Sequence, residues 1–286
     1  MADLRPSEEA RRALGIRLRE LRLDAGLSGV GLAARCGWTK FKVSKIEHAG
    51  QAPSEADIRA WCAACGAEGQ IPELVAFSRQ IEQMWADLRE VLRIGQKTIQ
   101  KRGLSTYGNA KVARVYESLH VPGILQTFGY ACRQFTLHAD LYELPTGDIE
   151  EAARNRLSAQ ILLGRGGTSF SFLLEATVLH NNIGGLTVMD EQFDFLTQVA
   201  TLPNVALGVI PLGVPRTLYP GEAFYLFDDH TVRQEFWSGA FKSSRPSDIA
   251  HFARAFAKLR THAVYGDRVR REIEAARARL VQLGAT

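Results

Sequence analysis

The 286-residue sequence predicts a mainly α N-terminal domain followed by a mixed α/β (α+β) C-terminal domain. Three observations carry this. Over residues 8–65 apolar side chains recur at helical spacing, punctuated by Ser, Thr and Gly at helix-end positions. After Gly103 the texture changes to short and alternating apolar runs, the pattern of strands. Helical stretches separate those runs, so the second half mixes both kinds of element. The length exceeds that of one usual domain, and 46% apolar residues leave material for two cores.

In chain order, residues 8–25 form a first helix on Ala10, Leu14, Leu18 and Leu21, stopped by Gly26. Ser28 caps a short second helix over 30–36, and Gly37 supplies a left-handed residue for a tight turn. Thr39 caps a third over 40–48 with Val43, Ile46 and Phe41 as candidates for its apolar face, and 54–65 form a fourth. Residues 71–101 are helical by pattern, with Ile71, Leu74, Ile81, Trp85, Leu88, Leu92 and Ile99 on a heptad-like seam weakened by Ser78 and Gly95. This helix is expected to pack on the second domain, or else to form a dimer interface. Strands are expected over 112–116, 169–174, 205–211, 223–227 and 231–237, the last two joined as a hairpin through Asp228, Asp229 and His230. Helices are expected over 127–137, 146–163, 188–201, 246–265 and 267–283.

Lys plus Arg at 35 against Asp plus Glu at 31 gives a net charge of +4, too mild to name a partner. No apolar stretch approaches the length of a membrane span, and the charged start lacks the apolar core of a signal peptide. The expectation is a cytoplasmic protein with no membrane partner, whose four cysteines stay reduced.

The N-terminal pattern carries the chemistry. Two short helices around a Gly turn, with small Ala33 where they cross and Val43 and Ile46 turned inward, make a helix-turn-helix. Its second helix lies in a DNA major groove and presents N-terminal side chains to base edges. Thr39, Lys40, Phe41 and Ser44 are therefore the predicted readers, with Phe41 suited to a thymine methyl. Lys42 and Lys45 are placed near phosphate, and Ser28 joins the DNA-facing set. The alternative is that the lysines form a solvated face.

Leu14-Gly-x-x-Leu-Arg-x-Leu-Arg, Leu32-Ala-Ala-Arg-Cys-Gly-Trp-Thr, Val43-Ser-Lys-Ile-Glu47 and Pro53-Ser54 together resemble the Xre/Cro repressor domain over residues 10–66. Val121-Pro-Gly-Ile-Leu-Gln-Thr127, Tyr130-Ala131, Phe172-Leu-Leu-Glu-Ala176 and Met189-x-x-Gln192 are similar to the C-terminal domain of WhiJ-type actinobacterial regulators. That resemblance implies an antitoxin-like regulator, a repressor paired with a small companion protein encoded nearby. The chain departs from the repressor pattern at Val30-Gly31, where related helices carry a polar residue and Glu. The expected organisation is a DNA-binding domain over 1–69, a connecting helix over 70–106 and an effector- or partner-binding domain over 107–286. Double-stranded operator DNA and a second copy of the chain are the other expected partners, and an antitoxin that masks a companion toxin is the alternative function.

The remaining polar motifs are weaker. Cys62 and Cys65 share a helix face with Ile58 and Trp61, which favours core packing over redox or zinc chemistry. Gly164-Arg-Gly-Gly167 follows a helix and precedes a strand, the reverse of a phosphate loop. His180, Asp228, Asp229, His230 and Glu235 match no catalytic or metal spacing, so no enzyme activity, cofactor or metal is expected. The Pro-Gly turn before Gln126 and Thr127 opens a helix whose free N–H groups are placed to meet a ligand, with Arg156, Gln160 and Glu175 as further candidates. Residues 245–286 hold nine basic and four acidic side chains, and Arg270 and Arg277 are candidates for an acidic partner or flanking DNA.

Overall fold

The computed structural model describes residues 6–83, 106–237 and 239–284. It divides into two units, Met1–Ala86 with Phe241–Ile249, and Asp87–Ala240 with Ala250–Thr286.

The first unit is helical. Its elements are α1 (Pro6–Asp24), α2 (Gly29–Cys36), α3 (Lys40–Glu47), α4 (Glu55–Cys65) and α5 (Ile71–Gln83). Local chemistry sets the boundaries. Ser28, Thr39 and Ser54 each sit in extended backbone and accept a hydrogen bond from an N–H in the first turn of the helix that follows. Ser54 and Asp57 complete a reciprocal capping box. Gly37, at φ 68°, turns the chain between α2 and α3 in the left-handed region that a side chain would disfavour. The core gathers Leu14, Leu18, Leu32, Val43, Ile46, Ile58, Trp61 and Cys62, so Val43 and Ile46 point inward while Phe41 stays 68% exposed. The Phe41 position on the apolar face is thus corrected: two of the three candidates suffice to seat an eight-residue helix.

The helix over 71–101 was expected on the second domain or at a dimer interface. The described part, α5, instead packs on α1 and α4, burying Leu74 and Val75 in the first core. α5 follows α4 after one short 3-10 turn, Glu68–Gln70, and Leu74 and Val75 join Ile58, Trp61 and Cys62 in a single apolar cluster. The seam from Trp85 to Ile99 lies outside the described residues.

The second unit is built on a six-stranded mixed sheet in the order β3-β2-β1-β4-β5-β6. Its strands are β1 (Val112–Glu117), β2 (Ser169–Glu175), β3 (Val205–Ile210), β4 (Phe224–Phe227), β5 (Thr231–Phe236) and β6 (Gly239–Ser243). β1, β2 and β3 run parallel, while β4 is antiparallel to both β1 and β5. Connections between the parallel strands hold α6 (Phe128–Leu141), α7 (Ile149–Leu157), α8 (Ala176–His180) and α9 (Leu186–Val199). Two long helices follow, α10 (Pro246–Arg260) and α11 (Asp267–Gly284). Near-continuous apolar runs on β2 and β3 supply Phe170, Phe172, Leu174, Leu207 and Val209 to a core closed by Phe193, Leu196, Val269 and Ile273 from α9 and α11. The β4–β5 hairpin turns through Asp228 and Asp229, at φ 51° and 53°. Asp228 braces the turn by accepting from the N–H groups of Lys111 and Val112. The fold is thus a helical helix-turn-helix region followed by an α+β domain.

Candidate nucleic-acid interface

The site starts from what holds α3. Arg22, near the end of α1, donates from Nε and Nη2 to the two carboxylate oxygens of Glu47 at 2.6 and 3.1 Å, and from Nη1 to the carbonyl of Leu27 at 2.6 Å. Both side chains are under a tenth exposed, at 8% and 7%. A bidentate pair with so little solvent fixes the end of α3 against α1 and the loop before α2. Gly15 lets the helices approach, since a Cβ there would stand 2.7 Å from the carbonyl oxygens of Ile46 and Glu47. Sequence reasoning placed Leu14-Gly15 and Glu47 in a motif without seeing this clamp, whose two charges lie 25 residues apart.

Outward from the clamp, Ser28, Thr39, Lys40, Phe41, Ser44 and Lys45 are all exposed. A shallow depression runs between the start of α2 and α3, with Ser28, Val30, Lys40, Phe41 and Ser44 in its wall. The hydroxyls of Ser28 and Thr39 accept from Gly31 and Lys42 N–H groups, which leaves each O–H able to donate to an anion. Two helix N-termini therefore open on one depression, each adding partial positive charge. Lys40 lies 5.4 Å from the Phe41 ring centre. Among the described residues Lys40 and Lys45 form no ion pair.

Lys42 differs. Its Nζ donates to Asp57 of α4 at 2.6 Å and lies 4.4 Å from the Trp38 ring centre, so the charge placed near phosphate by sequence is engaged inside the domain. Gly31 leaves room for the cap: a Cβ there would stand 3.3 Å from Ser28 Oγ. Cys62 is wholly buried, and burial pushes its thiol up to about 11, the behaviour of a core side chain. Among the described residues no three His, Cys, Asp or Glu side chains are placed to hold a metal ion.

The candidates in the second unit fall into separate groups. Gln126, Thr127, Arg156 and Gln160 come together around the loop before α6. Gln126 is wholly buried; its Nε2 donates to the Val121 carbonyl at 2.7 Å and to Gln134 Oε1 at 2.8 Å. Arg156 Nη1 donates to Gln126 Oε1 at 2.8 Å and Gln134 Oε1 at 2.6 Å, and Gln160 donates to the Gln126 carbonyl at 2.7 Å. The N–H of Thr127, read from sequence as free for a ligand, donates to Gln192 Oε1 at 2.8 Å, while Gln192 Nε2 donates to the Leu125 carbonyl at 2.7 Å. That is a correction with a plain cause: α9 brings an amide of matching geometry to the loop. Glu175 has other partners, accepting from the Tyr116 hydroxyl at 2.9 Å and from both Nη atoms of Arg216.

On α11, Arg270 is exposed, whereas Arg277 donates to Asp190 at 2.6 Å and Asp194 at 2.5 Å on α9. Sequence reasoning missed these acids because α9 and α11 are far apart along the chain. Among the described residues no helix is long and apolar enough to cross a membrane.

Comparison with known proteins agrees with the geometry. A helix-turn-helix domain model matches residues 13–74, and with the exposed α3 it marks the chain as a DNA-binding regulator. No curated protein matches the chain. The model described as a domain of unknown function (DUF5753) matches residues 107–275, more than half of the sequence, and the chain belongs to that family.

Proposed function

We propose that the protein is a sequence-specific transcriptional repressor that reads operator DNA through the N-terminal end of α3 and is controlled through its C-terminal domain. One observation carries the reading: Lys40, Phe41, Ser44 and Lys45 stand exposed on a helix clamped at its far end by Arg22 and Glu47. An exposed face on a rigidly held helix is what insertion into a major groove requires, because base contacts need fixed geometry. Lys40 and Ser44 supply hydrogen bonds to base edges, Phe41 covers a thymine methyl, and Lys45 contacts phosphate with the capping hydroxyls of Ser28 and Thr39. The protein binds a two-fold operator as a homodimer in this proposal, and the resemblance to WhiJ-type regulators supports a small companion protein as the controlling partner. Arg270, exposed on the outer side of α11, is the cation offered to that partner.

Selection of a duplex from a random pool by the full chain, followed by binding assays on variants, tests the proposal. Lys40→Ala and Ser44→Ala should each weaken the selected site by about 1–3 kcal/mol and relax preference at single base pairs. Lys45→Ala should weaken all sequences alike and lower the salt slope by about one. Unchanged affinity in all three variants refutes the assignment of α3.

A further inference from the structure

The second unit holds a cavity that neither the DNA-binding reading nor the polar loop before α6 uses. It lies between the end of α8, the start of α9 and the last turns of α11, with a volume of about 170 Å³. Its floor is apolar and buried: Leu179, Met189 and Ala276 are each 2% exposed or less. Leu186, Leu280 and Leu283 form the walls, and Leu186 and Leu283 reach solvent at the mouth. The sequence of α11 makes the space. Along its inward face the series Val269, Ile273, Ala276, Leu280 shrinks to a methyl group where the cavity lies.

Polar groups gather only at the rim. Arg279, His180 and Asn182 are the polar residues of the lining, and no lining residue is acidic. Arg279 is exposed, and among the described residues it forms no hydrogen bond or ion pair. Arg277, two residues earlier on α11, instead pairs with Asp190 and Asp194, so those acids of α9 are already answered. Arg279 is therefore a surplus cation standing over an apolar hollow. The Oδ1 of Asn182 accepts from the Gly185 N–H at 2.8 Å, which leaves its Nδ2 to donate. Leu186, at the mouth, is also the first residue of α9, a 14-residue helix that opens on Gly185 with no side-chain cap. The dipole of that helix adds positive charge at the same place.

We propose that this cavity binds a small carboxylic acid with a compact apolar body, its carboxylate held at the rim by Arg279 and Asn182 and its body lodged over Met189 and Ala276. The size follows from the volume, since an apolar void of about 150 Å³ takes a benzene ring. The flexible thioether of Met189 lets the floor fit such a ring. The charge follows from the rim. Donors on Arg279 and Asn182 suit an acceptor-only group, and the planar guanidinium fork matches a carboxylate. A cation would find no acidic partner in the lining, and a wholly apolar ligand would leave Arg279 without a role. A phosphate dianion would bring two charges to one arginine. The inference deepens the reading that the second domain controls operator binding, and it takes its regulatory meaning from that reading.

The test uses the full chain with 13C-methyl-labelled methionine. The sequence has three methionines, and Met189→Leu assigns the signal at the floor. The probes are sodium phenylacetate, benzyl alcohol, which keeps the ring without the charge, and sodium acetate, which keeps the charge without the ring. Phenylacetate should move the Met189 signal saturably, benzyl alcohol should bind at least about tenfold more weakly, and acetate should give no saturable shift. By calorimetry, Arg279→Gln should weaken phenylacetate binding at least about tenfold while leaving the fold intact, because the side chain is exposed. Ala276→Leu, which fills the floor, should abolish binding; where the larger side chain disturbs folding, Arg279→Gln still decides. No saturable shift with phenylacetate, equal affinity for benzyl alcohol, or unchanged affinity in Arg279→Gln overturns the site. Operator affinity is then measured with and without phenylacetate: an unchanged value keeps the site and overturns its role in control.

Discussion

The starts of α3 and α6 use the same device to opposite ends. Each helix opens on a threonine whose Oγ1 accepts from the N–H three residues on: Thr39 from Lys42 at 3.3 Å, Thr127 from Tyr130 at 3.4 Å. After Thr39 the side chains of Lys40, Phe41, Ser44 and Lys45 face solvent. Around Thr127 the polar groups turn inward, and Gln126, Gln134, Gln160, Gln192 and Arg156 satisfy the loop and one another. A cap therefore marks where a helix starts. Whether that start is a binding site depends on which polar groups the rest of the fold leaves facing solvent.

The comparison breaks first at the clamp behind α3. Arg22→Ala leaves the buried Glu47 side chain with only Arg19 Nε, at 4.0 Å, in place of its bidentate partner, which should cost about 3–5 kcal/mol of stability in the first unit. Denaturant unfolding followed by Trp38 and Trp61 fluorescence measures it, and a loss below about 1 kcal/mol would show that α3 is held by packing alone. The α6 loop should break next. Gln192→Leu strips a partner from the Leu125 carbonyl and the Thr127 N–H, at about 1–3 kcal/mol for each orphaned group. It should lower the stability of the second unit while leaving operator affinity of the folded protein intact. Reduced ligand or operator binding without a loss of stability would instead make that loop a functional site.

Much of the first unit was legible because its instructions are local. Ser28, Thr39 and Ser54 at helix starts, with Gly37 at the turn, place α2, α3 and α4 to within a residue or so of the observed bounds. Five of the six strands were equally plain from their β-branched and aromatic runs. β6, Gly239–Ser243, was missed because Gly, Lys and Ser leave its run too short and too polar to stand out. α8, Ala176–His180, was missed because it follows β2 directly, with no side-chain cap to announce it.

The helix expected over 146–163 tightens after Leu157 into a 3-10 turn, Ser158–Leu162, a change of winding that periodicity does not reveal. The site divides the same way. The exposed side chains on α3 follow from one helix's own pattern, whereas the pairings that fix or engage the polar candidates are long-range. Arg22 meets Glu47, Lys42 meets Asp57, and Arg156 meets Gln126 only once the strands and helices are assembled.

The central claim is that α3 lies in the major groove with Phe41 against a thymine methyl. A double-mutant cycle tests it directly, combining Phe41→Ala in the protein with replacement of each thymine of the selected operator by deoxyuridine, which removes only the methyl group. The account predicts a coupling of about 0.8 kcal/mol, the value of one buried methylene, confined to one position in each half-site. Thymine methyls that contribute equally to the wild-type protein and to Phe41→Ala at every position would contradict it.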